Sequence, residues 1–518
     1  MAEDQDIVIV GGGHNGLVAA AYLARAGRRV TLLERLDHVG GAAVSAHAFD
    51  GIDARLSRYS YLVSLLPRRI IEDLGARIRL AHRRVSSYTP DPATRGATGL
   101  LIGTRNTFAA IGAGSDEARF KEFYRRAQLV TGAVWPTLLS PLNTRSAIRD
   151  RVLGSGDPDA AAGWETLINT PIGRTITEAV HNDLVRGVIA TDALIGTFAA
   201  TDDPSLIQNI CFLYHLIGGG TGDWDVPVGG MGAVTGALTA AACGFGAEII
   251  TGAEVYAISP DGDVQYRSRD GEHTVHGRHV LAGVTPAVLA RLLGDPEPET
   301  APGSQIKVNL MLKRLPRLRD QWVGPEHAFA GTFHINETMR QLDTAYAAAA
   351  GGALPDPLPC EVYCHSLTDP SILSEPLRGS GAHTLTVFGL HTPHHLLGDL
   401  DPDTRRIKLA AAALHSLNSV LAEPIQDVVM TDQDGRPCVE AKTTGDLEDA
   451  LGMTAGNIFH GALGWPFAED DEELDTPAKR WGVATGHEAI LLCGSGARRG
   501  GAVSGIGGHN AAMAVLES

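Results

Sequence analysis

Cysteine is scarce: Cys211, Cys243, Cys360, Cys364, Cys438 and Cys493 are spread over 518 residues with no C-x-x-C pair. That excludes a disulfide scaffold and points to a reducing, cytoplasmic setting. In CEVYCH, period-2 alternation puts Cys360, Val362 and Cys364 on one strand face, where they read as buried thiols and not as metal ligands. Positive charge is also short. Lys+Arg 43 against Asp+Glu 60 leaves a net charge of −17, a balance that repels phosphate backbones unless cations cluster. The longest basic groupings are pairs such as Arg68-Arg69 and Arg498-Arg499, which read as solvated surface charges, so nucleic acid is not an expected partner.

Long apolar runs are missing too. The opening MAEDQD has acids where a signal peptide carries positive charge and an apolar core, so secretion is not expected. Residues 226–247 carry no charge, yet they consist largely of Gly, Ala and Thr. They are expected to form a buried, tightly packed helix and not a membrane span. The 20 histidines show no metal-ligand spacing. HTPHH (391–395), with His394 and His395, reads as a polar turn, and no metal is expected.

What is present is an ordinary globular composition, 44% hydrophobic and 20% charged. At roughly 100–200 residues per domain, the length implies two lobes. Residues 6–35, DIVIVGGGHNGLVAAAYLARAGRRVTLLER, hold an apolar strand, a glycine-rich turn, a small-residue helix and a second strand, the order of a βαβ unit. Gly11, Gly13 and Gly16 form G-x-G-x-x-G: a tight turn, close approach of a pyrophosphate, and close helix–strand packing. Amides at the helix start favour phosphate. Glu34, 18 residues after Gly16 and followed by Arg35, is placed to accept hydrogen bonds from a ribose and to repel the extra phosphate of NADP. Gly40 and Gly41 in HVGGAA either bring a second backbone segment to the pyrophosphate, as FAD requires, or form a plain Gly-Gly turn.

Residues 489–517 read as an apolar strand, a long glycine-rich loop and an Ala-rich helix beginning near Gly505. This resembles a second FAD-binding segment, with Gly494, Ser495 and Gly496 passing along the pyrophosphate and ribityl chain. Amides of Gly505, Ile506 and Gly507 would then stabilise the negative edge of a reduced flavin. The rival is a flexible glycine linker, disfavoured by the strand and helix that bracket it.

The stretches VGGGHNGLVAAAYLARAG, LSRYSYLVSLL, DWDVPVGGMGAVTGAL, GAEIITGAEVYAI, NIFHGAL and LCGSGARRGGAVSGIGGHNAA together resemble the phytoene desaturase-like FAD-dependent oxidoreductases, and within them the branch named for pyridine nucleotide-disulfide oxidoreductase domain-containing protein 2. The resemblance covers most of the chain. It implies an α/β fold: a two-segment Rossmann-type FAD-binding domain with an inserted α+β substrate domain, the amine oxidase and phytoene desaturase-like architecture. The expected division is 1–85, 220–295 and 440–518 for FAD, and 86–219 and 296–439 for substrate. Val255 would hold adenine through its main chain. Arg498 and Arg499 stand where relatives commonly carry a His-Pro-like pair, which puts the contacts of that turn in question.

The implied activity is a dehydrogenase, desaturase or oxidase that removes hydrogen from a largely apolar small molecule, with hydride passing to flavin N5. No second complete G-x-G-x-x-G unit follows the first, so electrons would leave to oxygen, a quinone or a protein. Candidate catalytic residues are Lys307, in a strand like that supplying a flavin-proximal lysine in amine oxidases, or else facing solvent; His215; His460; and Arg55, with Ser57 and Arg58 beside it. The alternatives are a non-redox flavin-dependent isomerase and a binding or regulatory protein with structural FAD. No basic amphipathic anchor is visible, leaving peripheral contact as the one mode of membrane association open. The Ala/Gly/Pro-rich stretch 347–359 is expected to be an exposed loop.

Overall fold

The computed structural model describes residues 3–518; Met1 and Ala2, where the acidic start and the expected FAD lobe begin, lie outside the described residues. Two seven-stranded sheets organise the chain. The first runs in the order Glu254–Ile258, Asp263–Ser268, Gly271–Ala282, Glu3–Val10, Val30–Glu34, Glu248–Thr251, with Ile490–Leu492 pairing the end of Gly271–Ala282. Its central strands are parallel: Ile7–Val10 pair with Val30–Leu33 on one side and with His279–Ala282 on the other, and Val280–Ala282 pair with Ile490–Leu492. Ile7, Val8, Ile9 and Val10 are all buried, as the continuous apolar run requires of a strand covered on both faces.

The covering helices meet closely. Helix His14–Arg25 packs on the C-terminal helix Ile506–Glu517 and on helix Met231–Gly244. Small residues permit this: a Cβ on Gly508 would lie 1.9 Å from the carbonyl oxygen of Asn15. The expected helix over 226–247 is shorter, since Val226–Pro227 form a strand and only Met231–Gly244 are helical. It starts only at Met231 because the glycines before it hold positive φ (Gly229 91°, Gly230 80°) and cannot continue a helix, and it buries one stripe (Met231, Val234, Thr235, Leu238, Ala242), not its whole circumference. No helix among the described residues is long and apolar enough to cross a membrane.

The second sheet runs Val439–Lys442, Ile306–Leu312, His383–Gly389, Cys360–Tyr363, Thr332–Ile335, Ser87–Pro90, Gly99–Ile102. Its Cys360, Val362 and Cys364 pack into one apolar cluster, as the alternation predicts, while Tyr363 belongs to another. The exposed loop expected over 347–359 is shortened: helix Met339–Ala350, begun by a Thr338–Gln341 capping box, continues through 350. HTPHH turns as expected, with His391 fully buried beside Phe198 and Tyr346 and His395 exposed at its end.

Candidate active site

A cavity of about 410 Å³ opens at the carboxyl ends of the parallel strands, where ligands bind in open α/β sheets. Gly11, Gly13 and Gly16 line it. Gly11 holds φ 102, and a Cβ on Gly16 would meet the Gly11 carbonyl oxygen at 2.3 Å, so both positions require glycine. Helix His14–Arg25 starts at Gly13 with no side-chain cap and no acid in its first turn, which leaves its dipole directed at the cavity. Glu34 and Arg35 also line the wall. The Glu34 carboxylate accepts from the amides of Gly12 at 2.7 Å and Leu36 at 2.8 Å, fixing the strand end against the glycine turn.

The other expected cofactor contacts divide. Gly41, Val255, Gly494 and Ser495 line the cavity. Gly40 does not; its amide donates to the Gly12 carbonyl at 2.8 Å, so it brackets the turn from outside. Gly496 faces Pro286, and Gly505, Ile506 and Gly507 sit behind the wall, because the loop from 494 to 503 intervenes: a Cβ on Gly507 would strike the Gly494 carbonyl at 2.6 Å. Gly501, Ala502 and Val503 reach the cavity instead. His14 Nε2 lies 3.0 Å from the Ala502 carbonyl oxygen, which ties the first helix to this loop.

At the opposite end the wall becomes apolar, with Leu62, Leu65, Ile195, Trp224, Phe388 and Leu463. His215 and His460 both line the cavity. His215 donates from Nδ1 to the Cys211 carbonyl at 2.9 Å and stacks on Trp224 at 5.1 Å; burial pushes its pKa down to about 4. His460 sits at φ 64, and its Nδ1 has no hydrogen-bond partner among the described residues; burial again lowers it to about 4. Both imidazoles are therefore neutral at pH 7.

Lys307 is 3% exposed, which removes the solvent-facing alternative. Its ammonium donates to the carbonyls of Ser57 at 2.6 Å and Ser60 at 3.0 Å and lies 5.4 Å from the Tyr61 ring centre. Burial pushes it down to about 7. It does not line the cavity; Ser60 and Tyr61 do. Arg55 lies elsewhere: it donates to the Ser371 carbonyl on the surface, since the neighbouring Ala54 bridges to Leu373. Arg58 pairs with Glu440 and Ser57 accepts from the Met231 amide, so neither reaches the cavity. Arg498 is a surface pair with Glu472, but Arg499 is not a surface charge: it is 2% exposed and donates to the carbonyls of Thr137, Ser140 and Trp481.

Spacing gave no notice of Tyr61, Tyr214 and Trp224 as wall residues, nor of a second chamber of about 380 Å³ that shares Tyr61, Leu62, Ile195, His215 and Trp224 with the first. Arg83, Asp192, His334, Glu361 and Tyr363 line it. These come from four separated segments, and only the alternation in CEVYCH, which turns Glu361 and Tyr363 away from the thiol face, hints at one of them.

Residues 9–68 match the family model of an NAD(P)-binding Rossmann-like domain. An uncharacterized protein of Mycobacterium tuberculosis is 66% identical over 99% of this chain and 97% of its own length. The rat pyridine nucleotide-disulfide oxidoreductase domain-containing protein 2 is 29% identical over 99% of this chain and 93% of its own. A phytoene dehydrogenase of Streptomyces griseus is 28% identical over 56% of each. Among solved structures, putrescine oxidase bound to putrescine superposes over 99% of both chains with a TM-score of 0.58 at 17% identity, a likeness of fold.

Proposed function

Because this chain is homologous along nearly its whole length to pyridine nucleotide-disulfide oxidoreductase domain-containing protein 2 and over about half of it to a phytoene dehydrogenase, we propose that it binds FAD and removes hydrogen from a largely apolar small molecule. The observation that carries this reading is one cavity whose wall runs from Val255 and Glu34, past the glycine turn and Gly494-Ser495, to an apolar end. The residues fit a flavin dinucleotide. The uncapped helix start suits a pyrophosphate, and Gly41, at φ 55 and with an added Cβ only 3.2 Å from Gly13 Cα, disfavours a side chain there. When bound, FAD supplies a hydride acceptor at N5.

The chain's own residues orient and desolvate. Leu62, Leu65, Ile195 and Trp224 exclude water and form the surface for an apolar substrate; Tyr61, packed against Tyr363 at 4.7 Å and Phe388 at 5.5 Å, forms part of that wall. His460, neutral and with a free ring nitrogen, is the group best placed to accept a proton. In this reading residues 1–85, 220–295 and 440–518 form the cofactor lobe, and 86–219 and 296–439 the substrate lobe, except that 440–442 complete the edge strand of the second sheet. The setting is cytoplasmic, in keeping with five buried, unpaired cysteines. Electrons pass to oxygen, a quinone or a protein.

The test is anaerobic reduction of the flavin-loaded chain by dithionite, then admission of air with peroxide detection. Fast return of the oxidised spectrum with stoichiometric peroxide supports an oxidase. Reduced flavin that persists in air supports a dehydrogenase using a quinone or protein. Flavin that no amine, alcohol or alkene in a substrate screen reduces, while dithionite does, contradicts a redox role.

A further inference from the structure

His334 and Glu361 face each other directly across the antiparallel strands Thr332–Ile335 and Cys360–Tyr363. Asn336, at φ 58, turns the chain immediately afterwards and returns Glu337 onto His334. His334 Nδ1 lies 2.7 Å from Glu337 Oε2 and 3.8 Å from Glu361 Oε1. One ligand atom from each of the three residues falls within 4.8 Å of the others. Ligands at about 2.0–2.2 Å from a common metal ion stand about 2.8–4.4 Å apart, so the His334–Glu361 spacing already fits and the His334–Glu337 hydrogen bond has only to open slightly.

The cluster is deep: His334 is 4% exposed and Glu337 and Glu361 are 1% each. An independent observation marks it as unfinished. Glu337 Oε1 is buried with no hydrogen-bond partner, an arrangement that costs free energy unless something beyond the protein's own side chains occupies it. Asp192, half-buried, adds a third acid nearby, and Arg83 and Arg84 line the same chamber.

We propose that His334, Glu337 and Glu361 bind one divalent transition-metal ion, with its remaining coordination positions turned to the chamber that His334 and Glu361 line. One imidazole and two carboxylates suit Mn²⁺, Fe²⁺ or Zn²⁺ better than Ca²⁺, which takes oxygen ligands alone. Two of the ligands stand on paired strands and the third is pinned against His334, so the set is rigid before the ion arrives. Thr191 Oγ1, donating to Glu361 Oε1 at 3.3 Å, orients that carboxylate from outside. The exposed triad Asp50, Asp432 and Asp434 also groups three acids, but Arg436 pairs with all of them and already supplies the counter-charge.

The experiment uses the full chain treated with EDTA and then titrated with Mn²⁺, free ion being followed by its six-line EPR signal. The expected result is loss of one equivalent of free Mn²⁺ per chain, with affinity lowered about 10–100-fold in Glu337→Gln and in Glu361→Gln and unchanged in Asp434→Asn. No uptake, or uptake that both glutamine variants retain, overturns the proposal. If those variants do not fold, wild-type crystals soaked in Mn²⁺ decide: an anomalous-scattering peak between His334, Glu337 and Glu361 supports the site, and peaks only elsewhere refute it. Neither readout depends on flavin, so its failure is distinct from failure of the FAD reading.

Discussion

Glu34 carries two duties at one carboxylate: it holds the amides of Gly12 and Leu36 and in the proposed complex accepts from a ribose. Glu34→Ala leaves both amides without that acceptor, at a cost of about 1–3 kcal/mol, and FAD affinity is expected to fall about 10–100-fold in equilibrium dialysis. Lys307 gives a pH signature. Its amine titrates near 7 in the folded chain, against an ordinary 10.5. Between those values the unfolded chain binds the extra proton, so this group's contribution to stability rises as pH rises from about 7 to about 10.5. The melting temperature of wild type is expected to gain more between pH 7 and pH 9.5 than that of Lys307→Met; parallel profiles contradict a neutral buried amine. None of this was legible at Lys307 itself, because every residue of the strand Ile306–Leu312 is buried and a lysine in such a strand reads equally well as solvent-facing.

Among elements, the βαβ unit was legible because its signals are local: apolar strand, glycines at fixed spacing, small-residue helix, terminal acid. The return of Ile490–Leu492 to the same sheet was legible from the apolar run before the last glycine loop. How that loop lies was not. Its burial of Arg499 depends on carbonyls of Thr137, Ser140 and Trp481, which no spacing connects. Arg499→Met strips three carbonyls of a charged donor and is expected to destabilise by about 3 kcal/mol, read as a lowered denaturation midpoint in urea. The two helices flanking the glycine turn make a sharper test. Gly508→Val forces a side chain into the Asn15 carbonyl, and the variant is expected to lose FAD and to melt at lower temperature, because the helix start that faces the pyrophosphate is displaced.

At the scale of the whole molecule, the exposed large apolar residues, Phe245, Tyr256, Trp322, Ile407 and Leu516, come singly from five separated segments of the chain. The chain is therefore expected to stay at the bottom of a gradient when floated with liposomes; co-flotation contradicts that. The chamber beyond Tyr61 illustrates the limit of sequence reading, since residues 83, 192, 334 and 361 meet only once the second sheet has formed and the turn Thr191–Ala193 has packed on it. The central claim, one FAD held between the two ends of the chain, is tested most directly by the absorption spectrum of the purified chain, followed by mass identification of the released chromophore. Flavin bands with one FAD per chain are the predicted result, and a colourless protein that added FAD fails to reconstitute contradicts the account.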